Sequence, residues 1–184
     1  MSKKIWFKLL KYFLEYKAKI LQLNLEIEKK SKSKIIRNPN FPSEISENLV
    51  RFCYAELFNI ELEWKVGGDL WKKNHKYEVK AFVSGPISFS PNLDFEAIFF
   101  LDASNIIEGN FILYEVQCNS EVFKNLNVTS VSKFKDFEKK KRSRCLFDHL
   151  LKQWRKEKIA VNFYRVEVDI KKEKIIINKL FFPI

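Results

Sequence analysis

Two carboxylates and a lysine lie close together in the stretch that begins at Gly68-Asp69 and ends at Glu78-Val79-Lys80. Residues 76 to 83 alternate as a strand does, which directs Glu78 and Lys80 to the same face. Carboxylates hold divalent cations, and a lysine beside a bound cation can position or activate a water molecule. The spacing therefore predicts metal-assisted hydrolysis of a phosphodiester.

Acid-x-lysine triplets are frequent in this chain, because 31% of its residues are charged. The others begin at Glu28, Glu63, Glu138 and Asp169. Glu28 and Glu138 lie in charge-rich runs that favour a solvated helical face, and Asp169 closes a strand. Glu63 remains a competitor, since residues 60 to 66 also alternate like a strand.

The Glu78 triplet is distinguished by a Gly-Gly-Asp sequence upstream at hairpin distance. Glycine allows the backbone to turn sharply and to approach a ligand closely. In the predicted hairpin Asp69 starts one strand, residues 72 to 75 form the turn, and residues 76 to 83 return. Asp69 and Glu78 are then expected at the same end of the hairpin.

With Asp69, Glu78 and Lys80 in this order, the chain resembles the PD-(D/E)xK nuclease superfamily, above all its type II restriction endonucleases. Gly68 stands where that family usually has proline. The order of predicted elements also fits, over roughly residues 43 to 120. These elements are a helix over 43–58 and strands around 60–66, 69–72, 76–83, 95–101 and 111–117.

The resemblance implies an α/β fold with a central mixed β-sheet flanked by helices, a long N-terminal helix and a C-terminal β-hairpin. It implies Mg²⁺ held by Asp69, Glu78 and the carbonyl of Val79, with Lys80 positioning or deprotonating the attacking water. Related nucleases often add an acidic residue from the preceding helix. Glu47 is the candidate here, although the helix dipole also favours a carboxylate near a helix start.

The implied function is that of a type II restriction endonuclease that cuts double-stranded DNA as a homodimer in the cytoplasm. Two alternatives stay open. One is another nuclease of the superfamily, such as a nicking, repair or junction-resolving enzyme. The other is a non-catalytic DNA-binding protein, in which the hairpin is an ordinary surface element.

Composition favours an anionic partner. The 184 residues carry a formal net charge of +11, which points to DNA, RNA or an acidic membrane surface. The length suits one domain, 1–184, and the 46% of hydrophobic residues argues against disorder. Cys53, Cys118 and Cys145 form no C-x-x-C pair, so buried thiols in a reducing compartment are expected rather than a zinc finger. Phosphate-binding loop, nucleophile-elbow and H-E-x-x-H motifs are missing from the sequence.

Residues 3 to about 30 predict one long amphipathic helix. Its apolar face suits a core helix, a dimer interface or a membrane-surface helix. The lysines that interrupt it argue against a signal peptide or a membrane span. Ser43 is the expected N-cap of the next helix.

Candidate DNA contacts fall in three places. The first is the polar loop 84–92 that leaves the catalytic strand. The second is the end of the strand predicted over 111–117, expected near the same edge, where amide side chains are able to read bases or simply cap the strand. The third is the basic segment 133–144, which suits phosphates or a solvated loop. The residues are Ser84, Ser88, Ser90, Asn92, Gln117, Asn119, Lys133, Lys139, Lys140, Lys141, Arg142 and Arg144.

The rest of the chain predicts a helix over 143–157 and a closing hairpin of strands 161–169 and 174–182. We expect the N-terminal helix (1–30), the catalytic core (43–120) and the C-terminal part (133–184) to form a single domain.

Overall fold

Two helices precede a run of six strands, and two shorter helices lie among the last strands, in the described residues 1–31, 40–65, 69–137 and 141–180 of the computed structural model. The helices are α1 (Lys3–Ser31), α2 (Ser43–Phe58), α3 (Ser120–Lys124) and α4 (Phe147–Lys156). The strands are β1 (Glu63–Trp64), β2 (Leu70–Lys72), β3 (His75–Phe82), β4 (Ile87–Phe89), β5 (Ala97–Asp102), β6 (Asn110–Val116), β7 (Ser143–Cys145), β8 (Val161–Asp169) and β9 (Lys174–Leu180).

One large mixed sheet organises these elements, with strand order β1-β2-β3-β5-β6-β8-β9. The pair β3 and β5 is parallel, and the other neighbours in this sheet are antiparallel. The middle of β5 is buried, as its continuous apolar sequence predicts for a strand covered on both faces. The predicted α/β fold, with a long N-terminal helix and a C-terminal hairpin, is confirmed.

The two faces of the sheet support two apolar layers, because successive strand side chains point in opposite directions. From β5, Phe99 and Leu101 pack in the same cluster as residues of α1 and α2. Ile98 and Phe100 pack in the opposite cluster, with residues of α4 and β4. Helices pack on both faces of the sheet, and this packing fixes the position of β3 within it.

Helix α1 is a core helix over its first half. Trp6, Phe7 and Leu10 are buried against the sheet, and the Trp6 indole Nε1 donates a hydrogen bond to the Ile45 carbonyl at 2.9 Å. No helix in the described part of the chain combines the length and the apolar character that crossing a bilayer requires. The core interpretation therefore holds for this half of α1.

The start of α2 differs from the prediction that Ser43 is its N-cap. Pro42 occupies the cap position in an extended conformation, and its carbonyl accepts the amides of Ile45 and Ser46 at 3.2 and 3.1 Å. Ser43 is already helical, so its hydroxyl bonds to Glu44 instead of capping the helix. This prediction was wrong, because the backbone is already helical at Ser43 and the extended residue before it is Pro42.

A second, two-stranded sheet also departs from the sequence-based expectation. The loop predicted over 84–92 contains β4, and the helix predicted over 143–157 begins only at Phe147, after β7. The two strands pair antiparallel, with Ser88 opposite Arg144. Three-residue strands that pair across more than fifty residues leave no local periodicity, so the sequence alone did not show them.

Candidate active site

The β2–β3 hairpin brings Asp69 and Glu78 together, as the sequence predicts. Leu70 pairs with Tyr77, so Asp69 lies at the next position along the hairpin, beside Glu78. Asp69 has a φ of 73°, in the left-handed region that residues other than glycine rarely occupy. Such conformations concentrate at functional sites, where the surrounding structure imposes them.

Lys76 is a member of this group that the sequence analysis missed. Its Nζ lies 2.8 Å from Asp69 Oδ2 and 3.9 Å from Glu78 Oε2, so one ammonium lies between the two carboxylates. Lys80 Nζ pairs with Glu78 Oε1 from the other side. The sequence did contain the pattern that identifies Lys76, because residues 76, 78 and 80 point to one face of a strand.

Helix α2 supplies a third carboxylate. Glu47 is buried, and its Oε2 accepts a hydrogen bond from the Trp64 indole Nε1 at 2.7 Å. The Asp69 backbone amide also interacts with the Glu47 carboxylate, and the negative charge of Asp69 lies near enough to act on it. The structure therefore groups Glu47 with Asp69, and Trp64 on β1 fixes the Glu47 side chain.

Burial and like charge disfavour ionisation in this group. Burial raises the pKa of Glu78, and Asp69 adds to that rise, while Lys80 and Lys76 oppose it. Burial likewise raises the pKa of Glu47 against the hydrogen bond from Trp64. Burial disfavours the charged form of Lys76. The hydrogen bond to Asp69 and the negative charges of Asp69 and Glu78 outweigh this effect and raise the pKa of Lys76. Three carboxylates and two lysines thus form a coupled charge cluster in which negative charge is costly without cations.

Within the described ranges, no three His, Cys, Asp or Glu side chains group closely enough to hold a metal ion by themselves. The carboxylate oxygens of Asp69 and Glu78 are instead held by lysine ammonium groups. Val79, whose carbonyl is a candidate ligand, lies between Glu78 and Lys80 with its side chain buried in the α1–α2 layer.

The competing acid-x-lysine triplets do not assemble a comparable group. Glu63 is exposed, and Lys65 lies over the Trp71 ring, 4.2 Å from its centroid. Asp169 accepts the Lys172 amide in the β8–β9 turn, as expected of a residue that closes a strand. Glu28 lies on α1, and the triplet of Glu138 falls outside the described residues.

Three candidate DNA contacts lie beside Lys80. Ser84, Ser88 and Arg144 line a cavity of about 540 Å³ that Lys80 also lines. Ser84 lies two residues after the end of β3, and the β4–β7 pairing sets Ser88 and Arg144 opposite each other. The loop and the basic segment, which are far apart in sequence, thus meet next to the candidate active site.

Other candidates are placed differently. Gln117 and Asn119 follow β6 at the end of the sheet opposite to Ser84, because β6 runs antiparallel to β5 while β3 runs parallel to it. The expectation of a shared edge was wrong for this reason. Asn119 caps α3 by accepting the Val122 amide at 3.0 Å.

The remaining candidates are exposed or not described. Lys133 donates its amide to Asp136 at 2.7 Å. Lys139 and Lys140 lie outside the described residues. The exposed residues that do not line the cavity are Ser90, Asn92, Gln117, Asn119, Lys133, Lys141 and Arg142.

Comparison with known proteins yields one family. A family model described as "Bsp6I restriction endonuclease" matches residues 8–153, which is more than half of the chain and includes Glu47, Asp69, Glu78 and Lys80. No curated protein and no solved structure matches the chain.

Proposed function

Because the chain belongs to the Bsp6I restriction endonuclease family, we propose that it is a type II restriction endonuclease that hydrolyses double-stranded DNA at a specific sequence with Mg²⁺. The observation that carries this proposal is the cluster of Glu47, Asp69, Glu78, Lys76 and Lys80, which lies within the matched residues. We further propose that residues 1–184 act as a single nuclease domain.

The donor set suits Mg²⁺. Hard cations prefer oxygen ligands, and Mg²⁺ is usually held by one or two carboxylates, water and substrate phosphates rather than by an all-protein cage. Asp69 and Glu78, with the Val79 carbonyl, supply that kind of set, and Glu47 supports it from α2. When bound, the cation supplies Lewis-acid stabilisation of the negative charge that develops on the phosphate.

The side chains of the chain itself have distinct roles in the proposed reaction. Glu78 would hold the cation, and Lys80, which pairs with Glu78, is placed beside it to meet the attacking water. Lys80 positions the attacking water as an ammonium donor, or takes its proton as the neutral amine, while the water oxygen bonds to phosphorus. The bond from phosphorus to the 3′ oxygen breaks and that oxygen takes up a proton from solvent, which gives 5′-phosphate and 3′-hydroxyl ends. Lys76 holds the carboxylates in place before the cation binds.

The basic surface and the loop after β3 suit the proposed DNA substrate. Ser84, Ser88 and Arg144 reach the cavity beside Lys80 and are placed to contact the DNA backbone. The other exposed candidates, including Lys133, Lys141 and Arg142, add positive charge to a chain of net charge +11. The three cysteines are buried free thiols, which suits a reducing cytoplasm.

A homodimer is the proposed assembly, because a two-fold protein sets one active site on each strand of a palindromic site. Helix α1 carries an apolar row away from the core, with spacings of three, four and seven residues and side chains that are 38% to 60% exposed. Such spacing is that of a helix–helix seam. The row consists of Ile5, Leu9, Tyr12, Tyr16 and Leu23.

The charges along α1 do not select the direction of the second helix. Its first turns carry lysines, among them Lys4, Lys8 and Lys11, while Glu26 and Glu28 near the other end are followed by Lys29 and Lys30. The exposed apolar row alone therefore supports the proposed pairing of α1 with a second copy.

We expect the double variant Leu9→Glu with Tyr16→Glu to be monomeric, whereas the wild type has twice the 22.0 kDa chain mass. Two carboxylates per chain within an apolar seam repel each other and lose water on association. Light scattering coupled to size-exclusion chromatography measures this. Val131→Glu is the matched control, since Val131 is apolar and 92% exposed outside α1. A wild-type monomer, or a double variant that stays dimeric, contradicts the α1 interface.

Digestion of unmethylated phage DNA tests the function directly. We expect discrete fragments with Mg²⁺ and none with EDTA, and ligation of the ends will show their 5′-phosphates. A smear, or cutting at branched or nicked DNA, would instead indicate another nuclease of the superfamily. Absence of cutting, with salt-sensitive DNA binding intact, would indicate a non-catalytic DNA-binding protein.

A further inference from the structure

The cavity beside Lys80 is electropositive in a way that the proposed hydrolysis does not require. Lys17, Lys80 and Arg144 all line its volume of about 540 Å³. Ser84 and Ser88 add hydroxyl groups, and Phe82 contributes to an apolar wall. No acidic side chain of the described residues lines the cavity. An anion that enters it meets Lys17 and Arg144, whereas the third cation, Lys80, is paired with Glu78 outside the lining.

Lys17 is the unusual member of this lining. It lies on the core-facing side of α1 and is only 5% exposed. Within the described part of the chain it makes no ion pair and no hydrogen bond, whereas Lys80 is paired with Glu78. Burial without a counter-charge lowers the pKa of Lys17. Lys17 lines the cavity without a counter-charge, and an anion that binds there supplies one.

The position of the cavity indicates which anion it takes. β3 carries Lys80 and ends at Phe82, and residues 81 to 84 also line the cavity, so the cavity and the candidate active site share the end of one strand. Lys80 belongs both to the candidate active site and to the cavity lining, so the cavity adjoins the position proposed for the scissile phosphate. The hydroxyls of Ser84 and Ser88 are able to donate to phosphate oxygens.

We propose that Lys17 and Arg144 form a phosphate-binding subsite, contiguous with Lys80, for the phosphate next to the one that is cut. This inference rests on the proposed nuclease function for its substrate, but its binding chemistry does not require cleavage. The phosphate has two possible sources. One is an internal phosphodiester of the uncut strand, and the other is the terminal phosphate of a product.

The test uses Lys17→Met, which preserves length and removes the charge, together with Arg144→Gln at an exposed position where folding is not at risk. Lys171→Met, in the exposed β8–β9 turn away from the cavity, is the matched control. Two measurements are made in EDTA, where no cutting occurs. One is the melting temperature in inorganic phosphate, with sodium chloride at equal ionic strength as reference. The other is the salt dependence of binding to duplex DNA.

We expect phosphate to raise the melting temperature of the wild type and of Lys171→Met, and to raise it less or not at all in Lys17→Met and Arg144→Gln. Lys17→Met itself is expected to melt at a higher temperature than the wild type without phosphate. For an internal phosphodiester, the magnitude of the slope of log affinity against log salt falls by about 0.9 in Lys17→Met, whereas Lys171→Met keeps the wild-type slope. An unchanged slope with a lost phosphate effect assigns the subsite to the product's terminal phosphate.

Equal phosphate stabilisation of the wild type and both cavity variants, with equal salt slopes, overturns the proposal and leaves Lys17 as a structural residue. This result is independent of whether the protein cuts DNA. Loss of cleavage in all forms sinks the nuclease proposal without affecting the phosphate measurement, so the two failures are distinguishable.

Discussion

Replacing Lys80 with alanine will abolish DNA cleavage while leaving DNA binding intact. Lys80 Nζ pairs with Glu78, and its side chain is only 20% exposed, so this ammonium belongs to the charge cluster rather than to the general basic surface. Positioned proton donors and acceptors typically contribute about 10²–10⁴-fold to a rate. We expect a loss of that size in the single-turnover rate of cleavage.

The loss has two physical causes. Without Lys80, no ammonium orients the attacking water. The Lys80 charge also lowers the pKa of Glu78, so its removal shifts Glu78 further towards the neutral form, which is a poorer cation ligand. Affinity for DNA changes little, because one lysine is removed from a chain with 34 lysines and arginines.

Cleavage is measured on labelled phage DNA with Mg²⁺, and binding is measured in EDTA by fluorescence anisotropy. Lys73→Asn is the matched control, because Lys73 lies in the exposed turn of the same hairpin with a φ of 55°, which asparagine tolerates. Lys80→Arg separates the positioning of the water from its deprotonation. Arginine keeps the charge, but it stays protonated and so cannot act as a base. Equal cutting by Lys80→Ala and the wild type would falsify the assignment of Lys80.

The long elements of this fold were predictable, because each carries its own local pattern. Helix α2 was predicted over the residues that it occupies, and the continuous apolar run of β5 indicated a central strand. The hairpin that joins Asp69 to Glu78 followed from its spacing alone. These patterns are local, and tertiary packing reinforces each of them.

Long-range pairing was not predictable in the same way. Ser88 and Arg144 were separate candidates, one in a loop and one in a basic segment, and only the β4–β7 pairing brings them together. Lys17 was seen as a lysine that interrupts an apolar stretch. Its position four residues after Phe13 and seven after Leu10 places it on the core face of α1, a signal that helical spacing contains but that lysine's usual exposure conceals.

The second large effect concerns the carboxylate at the centre of the cluster. Glu78→Gln is expected to abolish Mg²⁺-dependent stabilisation together with cleavage, and to raise the stability of the metal-free protein at neutral pH. Burial, with the charge of Asp69, raises the pKa of Glu78 above its value of about 4.5 in the unfolded chain. The folded state therefore disfavours the charged form.

The sign of the pH dependence follows from linkage. Below about pH 4.5 Glu78 is protonated in the folded and the unfolded states, and its contribution to the stability of the folded state is fully present. As pH rises through the higher folded pKa, this contribution is lost, because the unfolded chain releases its proton first. Glutamine is neutral throughout, so the melting temperature of the wild type minus that of Glu78→Gln should fall as pH rises from about 4.5 to 8 in EDTA.

Mg²⁺ is expected to shift the difference between the two melting temperatures in favour of the wild type. A ligand that binds only the folded state stabilises it by about 2.7 kcal/mol at one hundred times its Kd, which for a domain of this size is a shift of several degrees. The wild type should gain such a shift and Glu78→Gln should not, as differential scanning fluorimetry with Mg²⁺ and EDTA will measure. Glu121→Gln, at a carboxylate that is 80% exposed on α3, should keep the wild-type shift. An equal Mg²⁺ shift in Glu78→Gln and the wild type would place the cation elsewhere, since a neutral amide in this buried position cannot replace the carboxylate that the cation requires.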